Sequence, residues 1–119
     1  MMQGFDELWP SGPRFLQTEE GFKLSTDSVL LADFTNTAKM RRCLDLGSGA
    51  GVLCVLLAEK APEMEILGLE LQPDFVDLSR RNLAENGLMS RVHIQQGDLR
   101  LHRELFSAGS FDLVVSNPP

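Results

Sequence analysis

Residues 44–51 read Leu44-Asp45-Leu46-Gly47-Ser48-Gly49-Ala50-Gly51. An apolar stretch over 42–46 leads into three alternating glycines, and a second apolar stretch, 51–61, runs on to Pro62. This order predicts a strand, a tight turn and a helix. Glycine permits positive φ and lets a ligand approach the backbone without a Cβ in the way. The free N–H groups at a helix N-terminus attract a carboxylate or phosphate. Glycine is also common in plain strand-to-helix turns. Three alternating glycines, with an aspartate two residues before the first, favour a ligand turn.

The stretches downstream repeat the alternation. Strands are predicted over 65–70, 91–95 and 111–116, with an amphipathic helix over 73–86 and a short helix or turn over 99–106. Pro73 suits the first turn of its helix, and Asn86-Gly87 suits the end. Strands alternating with helices mean an α/β protein with a parallel sheet, and right-handed crossovers fix its hand. Upstream, residues 8–14 hold two prolines and a glycine and read as an irregular arm. Segments 14–18 and 22–24, around Glu19-Glu20-Gly21, read as a small hairpin. Asp27 reads as the N-cap of a helix in which Val29, Leu30, Asp33 and Phe34 fall at helical spacing. The expected organisation is an arm, hairpin and capped helix over 1–38 and a partial ligand-binding domain over 39–119.

Composition narrows the class. A chain of 119 residues, 43% hydrophobic and 24% charged, is an ordinary globular domain of one core. The longest apolar run, 52–58, is far short of the roughly 20 residues of a membrane span. The start, Met1-Met2-Gln3-Gly4-Phe5-Asp6-Glu7, lacks the basic-then-apolar order of a signal peptide. The net charge of −6 is not the footprint of a chain that holds nucleic acid unaided. Cys43 and Cys54 form no CxxC pair and read as buried thiols of a reducing cytosol. His93 and His102 are too few and dispersed for a metal site. Arg80-Arg81 reads as a solvated helix face.

Four marks carry chemistry. A dinucleotide fingerprint, G-x-G-x-x-G, would need glycine or alanine at position 52, which is Val52. The pattern is instead D-x-G-x-G-x-G, from Asp45 to Gly51. Glu70 ends the second predicted strand, where a carboxylate can accept both hydrogen bonds of a ribose diol. That position suits NAD as well as other nucleoside cofactors. Asp98 follows the third strand; it can accept from an adenine amino group or cap the helix behind it. The fourth strand ends in Ser116-Asn117-Pro118-Pro119. In isolation Asn-Pro-Pro reads as a turn that stops a strand; the same asparagine oxygen and a proline carbonyl can also accept both N–H groups of a planar nitrogen and localise its lone pair. The first proline also stiffens the turn.

Together these marks resemble the class I S-adenosylmethionine (SAM) methyltransferases, with a Rossmann-like sheet. The resemblance implies that Asp45, Gly47, Gly49 and Gly51 hold the amino-acid end of SAM and that Glu70 holds its ribose. It implies further that Leu71 packs on the adenine, while Asp98 and Leu99 contact it. Asn117, Pro118 and Pro119 would be catalytic, as in the Asn-Pro-Pro-aromatic motif of enzymes that methylate a planar nitrogen. Methyl transfer is then an in-line displacement helped mainly by orientation. The segment from Glu20 to Leu31, with Gly21-Phe22-Lys23 and Thr26-Asp27-Ser28-Val29-Leu30-Leu31, resembles the lead-in of bacterial tRNA adenine-N6 methyltransferases. Lys23 and Asp27 would lie near the methionine end of the cofactor.

The expected function is SAM-dependent methylation of the exocyclic amine of a tRNA adenine, in the cytoplasm. Alternatives are a DNA adenine, rRNA guanine or protein glutamine acceptor, a non-catalytic SAM-binding half-domain, and, more distantly, a nicotinamide oxidoreductase. The expected partner is tRNA, with neither membrane nor metal. The resemblance covers about residues 15–119 and only four of the family's seven strands. The expectation is therefore a sheet truncated after the fourth strand, poor turnover by this chain alone, and self-association through that exposed apolar strand.

Overall fold

Residues 52–58 are apolar at every position, so a helix built from them must be buried all round. The computed structural model, which describes residues 4–16 and 26–117, buries every one of them. Its elements run β1 (Phe5–Glu7), β2 (Arg14–Leu16), α1 (Thr26–Phe34), β3 (Arg42–Leu46), α2 (Val52–Lys60), β4 (Glu65–Glu70), α3 (Pro73–Glu85), β5 (Val92–Gln96), a 3-10 turn (Leu99–Leu101), α4 (His102–Leu105) and β6 (Leu113–Ser116).

Four strands form one parallel sheet in the order β5-β4-β3-β6. Asp45 lies beside Gly68 on one side and Val115 on the other. The step from β3 to β4 to β5 moves one way across the sheet, and β6 returns to the far side of β3. β3 and β6 therefore flank a topological switch point, where open α/β sheets bind ligands outside the carboxyl ends of the strands. Right-handed crossovers put α2 and α3 on one face. The main core joins α2 to Cys43, Ile66, Val92, Ile94 and Val115, with α1 adding Ala32.

Charged side chains close the helix ends. Lys60 Nζ donates to the carbonyls of Ala32, Asp33 and Thr35 at the end of α1. Arg91 donates to those of Ala58 and Ala61 at the end of α2 and to that of Met64 just before β4. Each cation meets orphan carbonyls at the negative end of a helix dipole.

Several expectations change. The described hairpin pairs Phe5 with Leu16 and Glu7 with Arg14, so the arm over 8–14 contains its loop, closed by Leu8 N–H to the Pro13 carbonyl at 2.8 Å. The expected return strand, 22–24, lies outside the described residues, as does Lys23. Helix α1 begins at Thr26, which puts Asp27 in its first turn rather than at its cap. Arg80 is not merely a solvated residue, because its Nη2 donates to the Ile94 carbonyl of β5 at 2.8 Å. Strand β6 starts at Leu113, and just before it the carboxylate of Asp112 accepts from the Arg41 and Arg42 amides. Val114 on this edge is 55% exposed.

Candidate functional site

The turn after β3 is left-handed at three glycines, with φ of 69° at Gly47, 55° at Gly49 and 85° at Gly51. A Cβ at Gly47 or Gly49 would meet nothing within 4 Å, so the backbone there faces open space. At Gly51 a Cβ would come 3.1 Å from Ser79 Cβ. Helix α3 therefore supports the turn from behind while its front stays free. The N–H groups of Gly47 and Ser48 are taken by the Leu69 carbonyl. The Ser48 hydroxyl is buried without a partner among the described residues.

Glu70, at the carboxyl end of β4, is 8% exposed. Its Oε1 accepts the Gly49 N–H at 2.7 Å and its Oε2 the Gln72 N–H at 2.9 Å. A carboxylate offers about four lone-pair sites, so acceptor capacity remains for a diol. The acid also ties the glycine turn to the next strand.

Asp45 is 1% exposed. Burial pushes its carboxyl up to about 7; a hydrogen bond from Cys54 works against the rise, and the charge of Glu70 adds to it. That bond runs from Cys54 Sγ to Asp45 Oδ2 at 3.3 Å. Burial, then the charge of Asp45, holds the Cys54 thiol well above its usual range. The same two causes push Cys43 up to about 12. Both cysteines are free and buried, and both stay protonated near neutral pH.

Asp98 caps the 3-10 turn, accepting the Arg100 N–H at 2.9 Å. Its Oδ2 also accepts from Arg100 Nη2 at 2.5 Å and Nε at 2.9 Å. The Arg100 side chain, then its amide, holds this carboxyl below the usual range. Sequence reading left capping and ligand contact both open; here the cap is formed, and Arg100 occupies the carboxylate. Leu71 and Leu99 are 59% and 48% exposed, which suits apolar contact with a planar ring. Asn117 is half-buried, and its Nδ2 donates to Ser28 Oγ at 3.0 Å. That bond leaves Asn117 Oδ1 to accept. Pro118 and Pro119 lie outside the described residues.

The four strand ends thus gather Asp45, the glycine turn, Glu70, Asp98 and Asn117 at one sheet edge. The chain matches the family model of the methyltransferase small domain over residues 23–119. It belongs to that family. Within the family its similar relatives include tRNA1(Val) (adenine(37)-N6)-methyltransferases. One from Yersinia enterocolitica is 38% identical over 98 residues, covering 82% of this chain and 39% of that one. One from Escherichia coli O157:H7 is 32% identical, covering 82% and 40%. The chain spans about 40% of the length of these curated relatives.

Among solved structures, the cofactor-bound Rv0187 from MTB aligns with a TM-score of 0.68 and 26% identity, over 82% of this chain and 46% of that one. The apo form of the S-adenosylmethionine-dependent methyltransferase SibL aligns at 0.64 and 25%, over 76% and 26%. An O-methyltransferase family protein from Burkholderia thailandensis, at 0.65 and 22% over 75% and 26%, shows the same fold. No group of three or more metal-binding side chains occurs among the described residues. None of their helices is long and apolar enough to cross a membrane.

Sequence reading missed three neighbours of the site: Cys54 beside Asp45, Ser28 beside Asn117, and Asn82 behind the glycine turn. Asn82 left a signal, because it sits four residues after Leu78 and seven after Phe75, on the apolar stripe of its helix. A polar residue on such a stripe needs a buried partner.

Proposed function

We propose that this chain binds SAM at the carboxyl ends of β3, β4 and β5 and serves methyl transfer to the exocyclic amine of an adenine in tRNA. The observation that carries the reading is the open glycine turn tied by Gly49 N–H to the buried carboxylate of Glu70. Free space in front of a left-handed backbone suits a ligand that lies against peptide groups.

In this reading the bound cofactor supplies an electrophilic methyl group on a sulfonium. The remaining chemistry belongs to the chain. Asp45, when ionised, attracts an ammonium group. Gly47, Gly49 and Gly51 give the backbone room beside it. Glu70 accepts from the ribose diol while holding the turn. Leu71 and Leu99 cover the adenine ring, with Asp98 accepting from its amino group once Arg100 shares or leaves that carboxylate. Asn117 accepts an N–H of the target amine through Oδ1, and the carbonyl of Pro118 accepts the other. Pro118, the first proline, also stiffens the turn, and Pro119 completes the motif. Holding these acceptors in place is the catalytic contribution.

The tRNA acceptor rests on the names of the relatives and on the segment around Thr26-Asp27-Ser28. A cytoplasmic setting and pairing of the exposed β6 edge with another strand belong to the same reading; sedimentation of the purified chain tests the latter.

Calorimetric titration of the chain with SAM, and with NAD for comparison, tests the cofactor. Binding of SAM alone is expected, and binding of NAD in its place overturns the assignment. Mass spectrometry of tRNA digests, with and without the gene that encodes the chain, tests the acceptor. Loss of N6-methyladenosine from one tRNA is expected. Unchanged tRNA, with a methyl mark lost from DNA, rRNA or a protein glutamine, overturns it.

A further inference from the structure

Asn82 is fully buried on α3. A buried amide must satisfy its donors and its acceptor, and the partners of Asn82 come from two distant parts of the chain. Its Oδ1 accepts the Leu16 N–H of β2 at 2.7 Å. Its Nδ2 donates to the Ala50 carbonyl inside the glycine turn at 2.9 Å. One helical turn on, Asn86 Oδ1 accepts the Arg14 N–H at 2.9 Å and its Nδ2 donates to the Arg14 carbonyl at 2.7 Å.

In a strand, alternate residues turn their peptide groups to the same edge. Arg14 and Leu16 turn theirs away from β1, and the two asparagines occupy that edge as a neighbouring strand would. Asparagine amides at i and i+4 lie about 6 Å apart on a helix, close to the two-residue repeat of a strand, about 6.6 Å. The register therefore fits. Packing reinforces it, because Leu16, Ala50 and Leu78 form a small core of their own, with Phe5 and Phe75 against it.

We propose that this clasp couples the N-terminal hairpin to the glycine turn, with Asn82 as a positioning residue for the Ala50 carbonyl. Loosening the hairpin then loosens the turn, and the affinity for the ligand of the turn falls. The last consequence rests on the SAM reading above.

The test compares the wild-type chain with Asn86→Ala and Asn82→Leu. Asn86→Ala removes the outer half of the clasp, together with the bond from Asn86 Nδ2 to the Asn82 carbonyl at 2.8 Å, and touches nothing in the turn. Asn82→Leu removes both inner bonds and is the variant at risk of misfolding. Amide hydrogen exchange is read at Leu16 and at Gly51, whose N–H bonds the Ser48 carbonyl, without ligand. Urea unfolding gives global stability, and calorimetry gives the SAM affinity.

In Asn86→Ala, exchange at Leu16 should rise about tenfold, the equivalent of one to two net hydrogen bonds. Exchange at Gly51 should rise with it, and SAM affinity should fall several-fold. Faster exchange at Leu16 with Gly51 and SAM affinity unchanged overturns the coupling and leaves the asparagines as packing alone. If the wild-type chain binds no SAM, the cofactor reading fails. The exchange at Gly51 still decides the clasp.

Discussion

Replacing Asp45 with asparagine should change how stability responds to pH, and the size of the effect follows from burial. The carboxyl of Asp45 is 1% exposed and is pushed up to about 7 from an ordinary value of 3.8. Between those values the folded chain keeps a proton that the unfolded chain has lost. Stability contributed by this group therefore falls as pH rises from about 4 to about 7 and is level beyond. The gap of about three pKa units, at about 1.4 kcal/mol each, corresponds to about 4 kcal/mol. For a domain whose total stability is on the order of 5–15 kcal/mol, that is a large share. The amide of the Asp45→Asn variant does not titrate, so the variant lacks this slope. Its side-chain oxygen still accepts from Cys54, while its new donor costs about 1–3 kcal/mol if it finds no partner. The offset between the two proteins is thus free to take either sign at pH 5. The slope is not. Urea unfolding at intervals from pH 4.5 to 8.5 should show the variant gaining on the wild type, at up to about 1.4 kcal/mol per pH unit. Carboxyls remote from Asp45 cancel in that difference, which leaves Asp45 and its coupling to Glu70. A difference that stays constant with pH would refute the burial argument. So would one that moves in favour of the wild type.

Three further outcomes follow from named bonds. Glu70→Ala removes the acceptor of the Gly49 and Gln72 amides; at about 1.5–3 kcal/mol for each bond to a charged group, urea unfolding should show a loss of about 3–6 kcal/mol, and SAM binding should vanish. Retained SAM binding would remove the ribose role. Arg91→Ala strips the Ala58 and Ala61 carbonyls at the end of α2, and the Met64 carbonyl before β4, of their donor and should cost about 2–3 kcal/mol with SAM affinity intact, whereas an unchanged urea midpoint would deny the cap any weight. Ser28→Ala frees the amide of Asn117 and should lower kcat about tenfold, the equivalent of one hydrogen bond, without changing SAM affinity. A matching fall in affinity would place Ser28 at the cofactor instead.

The parallel sheet was legible because its strands are short apolar runs closed by glycine or proline, signals carried within a few residues. Strands β3 and β4 occupy the predicted 42–46 and 65–70, and α3 ends at Asn86-Gly87 as its cap residues require. The pairing of Phe5–Glu7 with β2 has no signal in the sequence, because a three-residue strand has no period to detect. What fixes β2 against α3 is Asn82 and Asn86, about 70 residues away, and no local pattern carries such information. The site divided in the same way. Strand ends place Glu70 and Asp98 from sequence alone. That Glu70 also braces the glycine turn, and that Arg100 holds Asp98, depends on side chains meeting in space. The raised carboxyl of Asp45 was hidden as well, because it arises from the burial that α2 imposes on the end of β3.

Asp45 and Glu70 face opposite demands at one sheet edge. Glu70 accepts from two backbone amides, and the turn gains from those bonds. Asp45 has one hydrogen-bond donor among the described residues, a thiol at 3.3 Å. Thiols are weak donors, so the Asp45 carboxylate is left short of partners where water cannot help. A serine at position 54 would be a stronger donor and would satisfy it better. On the SAM reading proposed above, it would also occupy an oxygen that the ammonium must reach. With cysteine there, the empty chain meets the deficit by keeping a proton on the raised carboxyl below about pH 7; on the SAM reading proposed above, an arriving ammonium would meet it instead. On this argument the apolar helix α2 serves the site as directly as the glycines do. It removes water from Asp45 and offers a donor too weak to replace the ligand.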